Sequence, residues 1–76
     1  MNFWEAWLAL DQGKTVKNEE RYYRRVHFTQ TYGDMVLFTT SHVESKVLSD
    51  SPDKKWRRVR MIPLAHVEST KWEIVD

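Results

Sequence analysis

An amphipathic helix pattern in residues 1–16 places the strongest constraint on what this chain can fold into. Asn2 is followed by Glu5 at the spacing of a capping box, and Gly13 then supplies the kind of residue at which helices commonly end. At 100° per residue the apolar side chains cover an arc of about 200°, roughly twice what packing on one sheet requires. We therefore predict a helix with one side on a sheet and the other against a second protomer. The residues assigned to that oligomer interface are Phe3, Trp4 and Trp7.

Length and composition support an assembled rather than an isolated small domain. The 76 residues form one predicted domain, 1–76, and they include no cysteine, so no disulfide can supplement the core. A chain of this size buries only about 60% of the surface that its unfolded form exposes. We therefore expect a homo-oligomer, either a dimer or a tetramer. No stretch has the pattern of a signal peptide or the length of a membrane span, which leads us to expect a cytoplasmic protein without a membrane partner.

The centre of the chain has the pattern of a β-hairpin. Residues 22–31 and 35–41 are rich in β-branched and aromatic types, and Gly33 lies between them. The continuous apolar run 35–38 is typical of a central strand. We predict a hairpin whose second strand is central in the sheet.

Weaker patterns complete the prediction of an α+β fold. The serine- and aspartate-rich stretch 44–55 is predicted to be an exposed loop. Alternation in 54–62 predicts a half-exposed strand that ends at Pro63, with Val59 and Met61 on one face. Short strands are predicted at 15–17 and 72–75, and a turn with one helical turn at 64–70. The expected architecture is one N-terminal helix packed on a four- or five-stranded antiparallel sheet.

Motifs at both ends of the chain resemble those of a known family. The opening M-N-F-x-E-A-x-x-A-L-x-x-G-K-x-V spans Met1–Val16, and the ending W-E-I-V followed by an acidic residue spans Trp72–Asp76. Both are similar to motifs of small bacterial and phage proteins that include Thoeris anti-defence proteins. The resemblance implies a non-enzymatic phage protein that sequesters a nucleotide second messenger. It further implies a cyclic ADP-ribose-type signal or a cyclic dinucleotide, held in pockets between protomers.

Two clusters of basic and aromatic residues are the candidate ligand contacts. Guanidinium groups pair with phosphates and aromatic rings stack on bases, so these clusters suit a nucleotide. They equally suit a single-stranded nucleic-acid groove, or two solvated strand faces whose charges protect sheet edges. The clusters lie at residues 17–25 and 54–60. The residues selected as ligand contacts are Tyr22, Arg24, Arg25, Trp56 and Arg58.

Arg24 is the least easily explained of these residues. It shares a predicted strand face with Val26 and Phe28, and a charge on an apolar face must be paired or face a polar cavity. One interpretation is a phosphate contact in a cavity between protomers. The other, which we favour, is an internal salt bridge to Glu5 or Glu73.

No pattern supports an enzyme, a cofactor or a metal site. The three histidines lack the spacing of metal ligands, and each is predicted to be an ordinary strand or loop residue: His27, His42 and His66. No nucleophile with an orienting carboxylate and no glycine-rich phosphate loop is present. Besides nucleotide sequestration, two alternatives remain open. One is direct inhibition of a host defence protein, and the other is nucleic-acid binding.

Overall fold

The computed structural model describes residues 1–48 and 55–75, and in them an N-terminal helix packs on a five-stranded antiparallel sheet. This confirms the predicted α+β class. The strands lie in the order β4-β3-β2-β1-β5, and a second short helix precedes the last strand. The elements are α1 (Phe3–Asp11), β1 (Val16–Lys17), β2 (Arg21–Tyr32), β3 (Met35–Val47), β4 (Arg57–Arg58), α2 (Leu64–Glu68) and β5 (Glu73–Ile74).

Helix α1 begins and ends as its sequence predicts. The Glu5 N–H donates to Asn2 Oδ1 at 2.9 Å, and the Asn2 N–H donates to Glu5 Oε1 at 3.0 Å, which completes the capping box. The helix ends before Gly13, whose φ of 83° lies in the left-handed region that glycine adopts without steric cost. Local hydrogen bonds therefore set both helix boundaries.

The core lies between α1 and the face of the sheet that carries Tyr23. The Trp72 ring is central to it, with its centroid 5.3 Å from that of Tyr23 and 5.9 Å from that of Phe3. Phe3, which the sequence assigned to an oligomer interface, is 7% exposed and belongs to this core. Trp4 is 69% exposed, and Trp7 is partly buried against the core. The buried apolar residues are Phe3, Ala6, Ala9, Leu10, Val16, Tyr23, Val43 and Trp72.

The β2–β3 hairpin extends well beyond this core. The prediction of a central strand is wrong for residues 35–38, because in the described chain this part of β3 pairs with β2 alone and its side chains are 51–65% exposed. The reason is length: a nine-residue helix spans about 14 Å, whereas a twelve-residue strand spans about 40 Å. The neighbouring strands pair only near the base, at residues 22–23 of β2 and 44–45 of β3. We call residues 28–40 the hairpin arm.

The third quarter of the chain departs further from the prediction. Strand β3 continues to Val47, so the predicted loop 44–55 is wrong for residues 44–47, while residues 49–54 lie outside the described part. Strand β4 contains only two residues, so the strand predicted at 54–62 is too long. After β4 the chain leaves the sheet: Val59 and Ile62 pack against the core, but Met61 is 87% exposed.

Candidate functional site

Three of the predicted ligand contacts lie together on the sheet face opposite α1. The Arg24 guanidinium lies 4.4 Å from the centroid of the Trp56 ring, and the Tyr22 and Trp56 centroids are 6.4 Å apart. Arg24 also donates to Glu44 Oε1 from Nε at 3.1 Å and from Nη2 at 2.9 Å. The favoured salt bridge of Arg24 is therefore present, but with a different carboxylate from the two predicted.

The two carboxylates predicted to pair with Arg24 have other roles. Glu5 caps α1, and Glu73 accepts from Lys17 Nζ at 3.0 Å. Register explains the actual pairing, because Arg24 and Glu44 lie directly opposite each other on β2 and β3. The sequence pattern alone did not predict that Arg24 and Glu44 lie opposite each other.

Glu44 is held in its charged form. Partial burial by itself would raise the pKa of its carboxyl group, but hydrogen bonds from Arg24 and His42 and their charges lower it below its ordinary value. His42 Nε2 lies 3.3 Å from Glu44 Oε2, and its ring stacks on Phe28 at 5.1 Å between centroids. Arg24 is thus neutralised within the protomer and covered by Trp56, so it is a poor candidate for a direct phosphate contact.

Arg25 lies on the other side of the sheet from this group. Its Nη2 pairs with Asp11 Oδ1 at 3.1 Å, and its guanidinium lies 5.6 Å from the Trp7 ring centroid. Arg25 therefore connects β2 to the end of α1. The sheet separates it from Tyr22, Arg24 and Trp56, so the five predicted contacts do not form one site.

A cavity of about 270 Å³ brings together a different set of arginines. Arg21 from β2, Arg57 and Arg58 from β4, and Arg60 from the segment that follows line it together with Tyr23 and Ser45. No carboxylate of residues 1–48 or 55–75 is among the lining residues. Of the five residues that the sequence selected, only Arg58 belongs to this group.

The cavity carries a strong positive charge. Arg21 Nη1 is 3.5 Å from Ser45 Oγ. Within residues 1–48 and 55–75, none of the four arginines that line the cavity forms an ion pair with a carboxylate. The two basic clusters of the sequence contained all four. Their convergence depends on the pairing of β4 with β3, which places the second cluster near the start of β2.

Tyr23 lines the cavity, but its hydroxyl group contacts His66, which is not among the lining residues. The Tyr23 hydroxyl is 2.7 Å from His66 Nδ1, and His66 Nε2 is 2.8 Å from Glu20 Oε2. Burial raises the pKa of the Tyr23 phenol. His66 is only 2% exposed and its carbonyl accepts from Trp72 Nε1 at 2.9 Å. The sequence interpretation of His66 as an ordinary strand or loop residue is therefore wrong, because it is the centre of a buried hydrogen-bond network.

Residues 1–48 and 55–75 contain no group of three or more histidine, aspartate or glutamate side chains arranged to hold a metal ion. In the same part of the chain, no helix has the length and apolarity that crossing a membrane requires.

Comparisons with protein-family models, with curated proteins and with solved structures find no match for this chain. The cavity geometry and the terminal motifs therefore carry the functional interpretation.

Proposed function

We propose that this protein is a non-enzymatic binding protein that holds the phosphate groups of a nucleotide in the arginine-lined cavity. The observation that carries the proposal is that Arg21, Arg57, Arg58 and Arg60 all line one cavity, and no carboxylate of residues 1–48 or 55–75 lines it with them. Guanidinium groups bind phosphate oxygens through two parallel hydrogen bonds, and a group without an internal ion pair is available to do so.

The size of the cavity bears on the ligand. A volume of about 270 Å³ suits one or two phosphate groups with part of a nucleoside, and it is smaller than most pockets that enclose a whole ligand. A larger nucleotide extends past the rim, where a second protomer can cover it. This agrees with the terminal motifs, which resemble those of proteins that hold cyclic nucleotide signals between protomers. We therefore propose a cyclic ADP-ribose-type signal or a cyclic dinucleotide as the ligand, and sequestration as the activity.

Isothermal titration calorimetry against cyclic ADP-ribose isomers and cyclic dinucleotides tests this proposal. The informative variant is Arg57→Gln with Arg60→Gln, and the matched control is Lys14→Gln with Lys71→Gln, which removes the same charge from exposed positions elsewhere. Two charge-assisted hydrogen bonds contribute about 3 kcal/mol or more, so the arginine variant should lose about 100-fold in affinity. The lysine variant should keep it.

Two results would contradict the proposal. One is the absence of heat with every nucleotide at protein concentrations of about 100 μM, well above a micromolar dissociation constant. The other is an equal loss of affinity in both variants, which would indicate unspecific attraction between net charges. Titration with a single-stranded oligonucleotide tests the alternative of nucleic-acid binding. An affinity that depends mainly on phosphate contacts falls steeply between about 50 and 200 mM salt.

A further inference from the structure

We propose that the outer face of the hairpin arm, the face turned away from α1, is an interface for a second copy of this chain. None of the arm residues 28–40 lines the arginine cavity, so this proposal can fail without the failure of the proposed function. It also differs from the sequence prediction, which placed the oligomer interface on α1.

Alternation along the two strands defines this face. The rings of Phe28 and His42 stack on one side of the hairpin, whereas Thr29 and Thr39 face each other on the opposite side with 3.3 Å between their hydroxyl oxygens. Phe28 pairs with Thr40, and Gln30 pairs with Phe38. Because residues at even positions before the bulge share the side of Phe28, Phe38 also lies on the outer face.

The bulge between Gln30 and Thr31 leaves Leu37 of β3 without a partner in the register, while β2 has no extra residue, so the alternation of β2 continues and Tyr32 shares the outer face with Phe28. Tyr32 pairs with Met35 at the tip of the arm. The exposed fractions are 52% for Phe28, 51% for Phe38, 78% for Tyr32 and 65% for Met35. A two-stranded ribbon with uncovered apolar side chains is at best marginally stable in water, so this face is expected to be covered.

The exposed area matches what a dimer needs. With about 200 Å² for a fully exposed side chain of aromatic size, the four fractions correspond to about 500 Å² per protomer. Two identical faces then remove about 1,000 Å² from water, which reaches the lower limit of a specific interface. The uncovered apolar surface of α1 is smaller, because Trp4 and Leu8 are its two strongly exposed apolar residues in the described chain.

Charge and shape favour an identical partner. From Val26 to Tyr32 on β2 and from Met35 to His42 on β3, the outer face carries no lysine, arginine, aspartate or glutamate side chain, and the one charged residue of the arm, Asp34, lies in the turn. Two such faces meet without repulsion between like charges, as a two-fold symmetric interface requires. On the outer face, the cross-strand pairs Phe28–Thr40 and Gln30–Phe38 each join one phenyl ring to a smaller polar side chain. The rings of a second copy, rotated by 180°, therefore find space beside the rings of the first.

Sedimentation velocity over protein concentrations from about 1 to 200 μM tests the assembly. The wild-type protein should sediment as a species of at least twice the 9.2 kDa protomer mass. Phe38→Asp should weaken association about 100-fold, because it places a charge in the centre of the buried face. The matched control is Thr39→Asp, which adds the same charge one residue away on the opposite face of the arm and should leave the dimer intact. Met35→Lys at the tip is a second interface variant.

Each outcome of this experiment decides the proposal. Near-UV circular dichroism of the tryptophans verifies that the variants keep the core, since the arm lies outside it. A monomeric wild-type protein at the highest concentration would overturn the proposal. So would association that survives both Phe38→Asp and Met35→Lys but is lost in Trp4→Glu, which would place the interface on α1. If the wild-type protein is a monomer that binds a purified host defence protein through the arm, the partner is not a second copy and the proposal is also wrong.

Discussion

Replacing Tyr23 by phenylalanine should destabilise the fold by about 2 kcal/mol, although the substitution removes a single oxygen atom. The Tyr23 hydroxyl is 2.7 Å from His66 Nδ1, and both residues are nearly inaccessible to solvent. Without the hydroxyl group, Nδ1 remains buried with no partner, and water cannot reach it. The cost is therefore the desolvation of an unpaired polar atom, which is about 1–3 kcal/mol, rather than the smaller net value of an exchanged hydrogen bond.

The assay is equilibrium unfolding in urea, with Tyr22→Phe as the matched control. Tyr22 is the preceding residue, lies on the opposite face and is only partly buried, and among the described residues its hydroxyl group has no hydrogen bond. Its substitution should change the free energy of unfolding by less than about 0.5 kcal/mol. For a chain of this length, the Tyr23 variant should also melt about 8–16 °C lower.

The double variant Tyr23→Phe with His66→Leu separates the hydrogen bond from packing. Removing both partners eliminates the unpaired nitrogen, so the double variant should be more stable than the sum of the two single changes predicts. Equal unfolding free energies for Tyr23→Phe and Tyr22→Phe would refute the reasoning. A changed denaturant slope in Tyr23→Phe would instead indicate an altered denatured state and would also contradict it.

Three further predictions concern stability. The pKa of Glu44 is lowered in the folded protein, so the stability that Glu44 contributes is present above its ordinary pKa and is lost as pH falls through the pKa of the folded state. Chemical denaturation should show this loss of stability below about pH 4.5. The variant Glu44→Gln should lack that part of the pH dependence. Asn2→Ala removes the side-chain cap of α1 and should cost about 1 kcal/mol by the same measurement. A change under about 0.5 kcal/mol, the lower limit for such caps, would show that the capping box contributes little. In Gly13→Ala, the added β-carbon would meet no atom within 4 Å, but the residue keeps a φ of +83°, which strains a backbone that carries a side chain. We therefore expect the free energy of unfolding to fall by about 1 kcal/mol from backbone strain alone. An unchanged melting temperature would contradict this.

Sequence patterns predicted those parts of the fold whose causes are local. The Asn2–Glu5 cap and the left-handed Gly13 depend on residues within one helical turn, and Gly33, with φ 61°, likewise marks the hairpin turn. The helix, the hairpin and the α+β class followed from such signals. The extent of the strands did not, because the length of β3 and the shortness of β4 depend on where distant strands pair.

The candidate site shows the same division. The sequence located two basic clusters, and within them the four arginines of the cavity, because charge and residue type are visible without a structure. It could not show that Arg24 lies opposite Glu44 or that Arg25 meets Asp11, since both pairings depend on strand register and helix docking. From the sequence we selected Arg24 and Arg25 rather than Arg57 and Arg60. In the structure, Arg24 and Arg25 are the ones that form ion pairs within the protomer.

Helix α1 shows the difference between what the sequence determines and what the tertiary structure determines. Its sequence by itself determined that a capped helix forms and that its apolar arc is too wide for one sheet. Only the tertiary structure decided which aromatic residues of the helix are buried: Phe3 packs against Trp72, and Trp4 remains exposed. It also decided that six of the thirteen exposed large apolar residues in the described chain lie on the hairpin arm. The physical reason is that a helix cap depends on neighbouring residues, whereas strand length and the coverage of the sheet depend on where distant parts of the chain pair and pack.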